Sequence, residues 1–288
     1  MELKTLHNFQ IRNSHAWQIM FLVTLGVVLF ALIWNFPVPA SDWGYFWSAA
    51  QKPWSPFEIP GYFNPPWVAG FLAPLGMLSF SLSLVVNRSV ILVTTLFLVR
   101  KSGGGPGAML MALTSAPFAI LFSTSNIDWL PMLAMLLPFE AGLPFLLSKP
   151  QGTFGLFFVW WKQSPWERRG RLVMISILIL FISLLIWGNW PLQWMKATQA
   201  IHGTPWNISG CLWPRGIWLG LILLWFAWRS EDELYALTAS IFLTPYLAFY
   251  SLTQVTAVLI GRNRVMGGLV WGSLWILHLV LRREAMGL

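Results

Sequence analysis

Long apolar runs separated by short polar breaks fill most of the chain. They fall near residues 17–36, 66–81, 84–100, 107–123, 127–139, 141–161, 172–188, 214–228, 250–260 and 265–281. A helix crosses the hydrocarbon of a bilayer with about 20 apolar residues. Its backbone polar groups must be satisfied internally, which leaves helices or closed barrels as spanning structures. Continuous apolarity does not fit the alternating pattern of a barrel strand. The pattern therefore predicts an all-α integral membrane fold of about ten transmembrane helices, a single polytopic membrane domain over 1–288. Pro245, inside "IFLTPYLAFYSLTQ", should interrupt its helix.

One polar break is unusual. "SDWGYFWSAAQKPW" (41–54) opens with a carboxylate and is crowded with aromatic rings. Trp43, Phe46, Trp47 and Ala50 recur at helical spacing, so the stretch predicts a short amphipathic juxtamembrane helix in the first external loop. Its aromatic face is expected to lie flat in the headgroup region. Asp42 then has two readings. It can cap that helix, where a negative charge is favoured, or it can be an acid or base held at a membrane face. Further on, "FNPPW" (63–67) fixes the backbone before the next run, with Asn64 pushed towards extended geometry by the prolines.

Composition supports the membrane reading: 57% of residues are hydrophobic and 10% charged, against roughly 25% charged in a soluble domain. The net charge of +8 forms no single patch. Lys4 and Arg12, Lys162 with Arg168, Arg169 and Arg171, and Arg282 with Arg283 sit at the ends of apolar runs, the distribution of short cytoplasmic loops. Contact with membrane lipids follows; nucleic acid does not. Cys211 is the single cysteine, so no intramolecular disulfide is expected. "VPA" at 38–40 resembles a signal-peptidase site, but the preceding run is longer than a usual signal core, and a retained anchor is expected.

Ionisable and amide groups inside apolar stretches are functional candidates by default. Lys149 lies in "LLSKPQ", Arg88 in "VVNRSVIL", and Arg215 just after the tryptophan-rich loop 189–213, which also carries His202. Three of them have a plainer reading: a snorkelling or paired lysine for Lys149, a cytoplasmic turn for Arg88, a solvated loop histidine for His202. No D-x-D pair and no His/Cys cluster marks a metal site, and no cofactor is expected.

The order "DWGYFWSAA", "FNPPW", "LAPLGML", then "SNID" (125–128), "LLSKPQ" (146–151) and "LTPYLAFYSL" (243–252), resembles the GT-C superfamily of membrane glycosyltransferases. The nearest likeness is to the polyprenyl-phosphate-mannose-dependent mannosyltransferases of bacterial lipid glycosylation. The resemblance implies transfer of a hexose of mannose type from a polyprenyl-phosphate-linked donor to a lipid or glycan acceptor at the non-cytoplasmic face of a bacterial cytoplasmic membrane. In that scheme Asp42 is the catalytic general base. Lys149, Arg215, Arg88, Asn64, Asn126, His202, Tyr246 and Tyr250 contact substrate or lipid phosphate. A positioned carboxylate accelerates attack by a hydroxyl, and cations stabilise a departing phosphate. The chain is short for that family, and Tyr246 and Tyr250 stand where relatives often carry a histidine. Two alternatives therefore stay open: a noncatalytic GT-C-like membrane subunit with a protein partner, and a transporter or flippase of lipid-linked intermediates.

Overall fold

The computed structural model describes residues 41–199 and 207–286, all within the unit Pro39–Leu288. The first expected span, 17–36, and His202 lie outside the described residues.

Helices dominate, in the order α1 (Ser41–Gln51), α2 (Pro66–Gly76), α3 (Phe80–Lys101), α4 (Pro106–Leu113), α5 (Ala116–Thr124), α6 (Trp129–Leu136), α7 (Phe139–Leu146), α8 (Gly155–Gln163), α9 (Trp166–Trp187), α10 (Trp190–Gln199), α11 (Ile217–Ser230), α12 (Glu233–Leu243), α13 (Thr253–Arg262) and α14 (Arg264–Met286). Short 3₁₀ turns cover Pro56–Glu58, Pro150–Gly152, Ile208–Cys211 and Phe249–Leu252. The described residues form no sheet; a lone antiparallel bridge joins Asn207 to Ala248.

The expected count of about ten membrane-spanning helices is corrected. Three described helices are long and apolar enough to cross a membrane: Phe80–Lys101, Trp166–Trp187 and Arg264–Leu281. A fourth is added if α4 and α5, bent by 61° at their junction, count as one span. The cause is local punctuation. The apolar runs 127–139 and 141–161 contain Pro138, Pro150 and Gly152 at the points where helices end or begin, and proline removes a helical donor and clashes with the preceding turn. The runs are therefore cut into Trp129–Leu136, Phe139–Leu146 and Gly155–Gln163, the first two only 8 residues long. The runs near 214–228 and 250–260 become helices of 14 and 10 residues. The multi-pass localisation that rested on ten crossings is corrected with the count. The expected break at Pro245 is present, since α12 ends at Leu243 and its cap residue Thr244 is extended.

The aromatic helix is also corrected. α1 does not present its ring face outwards. Trp43, Phe46, Ala49 and Ala50 are buried in a cluster with Tyr62, Val68, Ala69, Leu72, Ile127 and Leu130. The Trp43 indole donates to Ser83 Oγ on α3 at 3.1 Å. Burying rings of this size is among the largest apolar contributions a side chain makes, so the helix is fixed as part of the core. The approach of α1 to α2 is close: a Cβ at Gly76 would stand 2.6 Å from the carbonyl carbon of Ala50. Tyr62 ties the connecting loop down. Its hydroxyl donates to Pro65 O at 2.8 Å and accepts from Ala69 N at 3.1 Å. Burial pushes its phenol above the usual range, with the Ala69 bond opposing.

The long helices differ in how far the protein covers them. Half of the apolar window of α3 is buried, against 11% for α9 and 6% for α14. α9 is anchored at its basic end, where Arg168 Nε and Arg171 Nη2 meet Glu140 Oε1 of α7 at 2.8 and 3.2 Å. The backbone N–H of Glu140 holds its carboxyl below the usual range, against some desolvation and with help from Arg171 and Arg168.

Candidate functional site

Asn126 organises the polar centre of the molecule. It follows Ser125, which ends α5 in the left-handed region at φ 56°. That conformation is uncommon for a residue other than glycine, and α3 holds it in place. Asn87 Nδ2 donates to Ser125 O at 2.7 Å, and Arg88 Nε donates to Ser125 Oγ at 2.9 Å. Trp129 Nε1 donates to Asn87 Oδ1 at 2.8 Å, which closes the support.

The Asn126 amide is fully used. Its Nδ2 donates to Asp42 Oδ2 at 2.7 Å and to the Tyr250 hydroxyl at 2.8 Å. Its Oδ1 accepts from Lys149 Nζ and from the backbone N–H of Ile127, both at 2.7 Å. Two donors and two acceptor sites exhaust an asparagine side chain. Because an ammonium can only donate, Oδ1 must face Lys149 and Nδ2 must face the carboxylate of Asp42.

Behind Asn126 lies a buried ion pair. Lys149 Nζ also bonds Asp128 Oδ2, with both side chains almost entirely inaccessible. The ammonium sits 4.7 Å from the centroid of the Tyr250 ring, a cation–π placement that partly offsets lost hydration. Gln254 Nε2 donates to Asp128 Oδ1 at 3.1 Å and to its backbone carbonyl at 3.3 Å. Gln254 Oε1 is buried and accepts from no protein group. Lys149 immediately precedes Pro150, which favours an extended backbone there; its ψ is 73° at φ −150°.

On the accessible side, Asp42, Tyr246 and Tyr250 are half-buried. The Tyr250 hydroxyl also hydrogen-bonds the Asp42 carboxylate, and Tyr246 hydrogen-bonds Tyr250. Burial first, then the negative charges of Asp42 and Asp128, push the Tyr246 phenol up to about 12. Tyr250 is pushed further up by burial, Asp42, Tyr246 and Asp128 in that order. Both phenols therefore stay protonated and keep a hydroxyl to donate.

The residues singled out from sequence divide clearly. Asp42, Asn126, Lys149, Tyr250 and Tyr246 come together. Arg88 does not join them by direct contact. It lies mid-helix in α3, not in a turn, where it is buried against Ser125, Ser123 O and the Phe122 ring. Asn64 is buried just ahead of α2, apart from this hydrogen-bonded cluster. Arg215 is exposed just beyond the Ile208–Cys211 turn. Asp128 and Gln254 complete the cluster without having been assigned a role from sequence. Asp128 was legible as an acid inside "SNID"; Gln254 gave no sign beyond a polar side chain in an apolar run. Among the described residues, no group of three or more His, Cys, Asp or Glu is placed to hold a metal ion.

What these observations define is a helical protein with three or four membrane-length helices among the described residues and a buried amide–ion-pair cluster reaching a half-buried carboxylate. Compared with protein-family models, with curated proteins and with solved structures, the chain matches none. The resemblance to the GT-C superfamily is accordingly corrected: no family match carries it, and among the described residues the count of membrane-length helices falls far short of about ten. The glycosyltransferase activity at a non-cytoplasmic face and the GT-C-like subunit alternative are corrected with it, and so is the flippase alternative, which rested on the same multi-span membrane reading.

Proposed function

We propose that the Asp42 cluster is a recognition site for a small ligand that donates hydrogen bonds, a hydroxyl or ammonium compound, with Asp42 as the accepting group. One observation carries this reading: a half-buried carboxylate is hydrogen-bonded, through a fully committed asparagine, to an almost entirely buried Lys149–Asp128 pair. Apolar residues of similar volume often stabilise a fold as well as a buried ion pair does, or better. Retaining the pair is better explained by what it orients than by what it stabilises. Linked buried ionisable groups are also where binding and acid–base chemistry concentrate.

The division of labour follows from the bonds. Asp128, Lys149 and Gln254 fix Asn126; Asn126 and Tyr250 fix the Asp42 carboxylate. A carboxylate offers about four acceptor directions, so it can hold a ligand donor while keeping its protein partners. If the ligand is a hydroxyl compound, Asp42 is positioned to accept its hydrogen bond.

The test is a thermal-shift screen of the full chain against a panel of small polyols and primary amines, followed by calorimetric titration of the hits. Asp42→Asn keeps the shape of the side chain and removes its charge. Hydrogen bonds to charged groups contribute about 1.5–3 kcal/mol, so binding should weaken roughly 10- to 150-fold in that variant while the unfolding transition stays cooperative. A panel without a hit sensitive to Asp42→Asn refutes the proposal.

A further inference from the structure

A cleft of about 640 Å³, lined by none of the residues of the Asp42 cluster, lies between the loop that follows α1 and the junction of α9 with α10. Its volume falls within the roughly 300–1,000 Å³ of small-molecule sites. Three aromatic residues line it, Trp54, Phe57 and Trp187, together with Glu58, Gln193 and Lys196. Two of the rings are held before any ligand arrives. Trp187 Nε1 donates to Pro53 O at 2.7 Å, and the Phe57 ring packs edge-on against Tyr62 at 5.8 Å. Trp54, by contrast, is 73% exposed, so its indole is open to a ligand.

We propose that this cleft binds a zwitterionic group of the phosphocholine type. Several aromatic faces beside a carboxylate are the recurring means of holding a quaternary ammonium, because the ring quadrupole attracts a cation that cannot hydrogen-bond. Trp54, Phe57 and Glu58 supply that combination. Lys196, on α10, supplies a point positive charge suited to a phosphate, and the Gln193 amide adds a hydrogen-bond donor on the same helix. Lys52 stands 4.0 Å from Glu58 with both side chains largely exposed. A surface pair of that kind contributes little and leaves the Glu58 carboxylate open to a second cation. A simple anion would leave the aromatic wall and Glu58 unused, and a simple cation would leave Lys196 unused.

The group can come from free phosphocholine or from a phosphatidylcholine headgroup, and the two sources are separable. Calorimetric titration of the full chain with phosphocholine is run beside vesicle flotation with phosphatidylcholine and with phosphatidylglycerol. Trp54→Ala and Lys196→Ala are compared with the parent, with circular dichroism as the check on folding; both residues are exposed, so the fold should persist. Saturable phosphocholine binding that weakens at least tenfold in both variants supports a soluble ligand. Flotation selective for phosphatidylcholine and lost in Trp54→Ala, without measurable phosphocholine binding, supports the lipid source. Failure to bind either form overturns the assignment. So does binding that Trp54→Ala leaves unchanged, and so does equal flotation with phosphatidylglycerol. Because neither variant touches the Asp42 cluster, this result is independent of the reading proposed for that site.

Discussion

Asp42 and Asn126, 84 residues apart in sequence, meet carboxylate to amide at 2.7 Å, and the same amide carries Lys149 on its opposite side. Replacing Asn126 by leucine leaves Asp42, Lys149, Tyr250 and the Ile127 N–H each short of a partner. A buried polar group without its bond costs about 1–3 kcal/mol, and partial rearrangement recovers some of that. Denaturant unfolding should show a loss of about 2 kcal/mol or more. A change under 0.5 kcal/mol would mean that the amide does not hold the cluster together.

Lys149→Met strands the Asp128 carboxylate. Breaking a buried pair from one side costs about 3–5 kcal/mol, whereas replacing both partners by apolar groups is often neutral. The double variant Lys149→Met with Asp128→Leu should therefore be more stable than Lys149→Met alone. A double-mutant cycle on unfolding free energies measures this; simple additivity of the two losses contradicts a coupled pair.

Alkaline stability should report on the tyrosines. Tyr246 is raised from 10.0 to about 12 in the folded protein, so above pH 10 the unfolded chain releases a proton that the native state keeps. Stability then falls as pH rises: the contribution is fully present below pH 10 and is lost as pH climbs towards 12. Tyr246→Phe removes one such group and should flatten the decline of the unfolding midpoint between pH 10 and 11.5, while leaving neutral pH nearly unchanged. An identical slope in parent and variant argues against the burial of that phenol.

Gly76→Ala tests how α1 is placed. The added methyl would stand 2.6 Å from Ala50 C and 2.7 Å from Ala50 O, so the backbone of α1 or α2 must move. Overpacking of this kind costs about 1–3 kcal/mol. Ligand binding at Asp42 should weaken in parallel, because the carboxylate rides on the displaced helix.

Sequence showed which polar residues were out of place in an apolar chain, and less of what they touch. Asp42, Asn126, Lys149 and Tyr250 could be named, but periodicity says nothing about an amide reaching two ions on opposite sides. Likewise the ring face of α1 was legible as apolar; whether Trp43 and Phe46 meet lipid or Ile127 and Leu130 depends on long-range packing. The span count failed for a plainer reason. Apolar content cannot separate the two spans expected at 127–139 and 141–161 from α6, α7 and α8, which are short pieces joined at Pro138, Pro150 and Gly152. Those breaks are visible only when each proline and glycine is read as punctuation in place, and not averaged over a window.

The grip of Asn87 and Arg88 on Ser125 means that the aim of Asn126 is inherited from a 22-residue helix. A loop residue clamped in this way has the positional tolerance of a helix, in a structure where tenths of an ångström decide whether an amide can serve two ions at once. Alignment of the site should therefore be most sensitive at positions 87 and 88, whose side chains bond Ser125 and not the Asn126 amide. Loosening that clamp would blur the site without removing a single group from it.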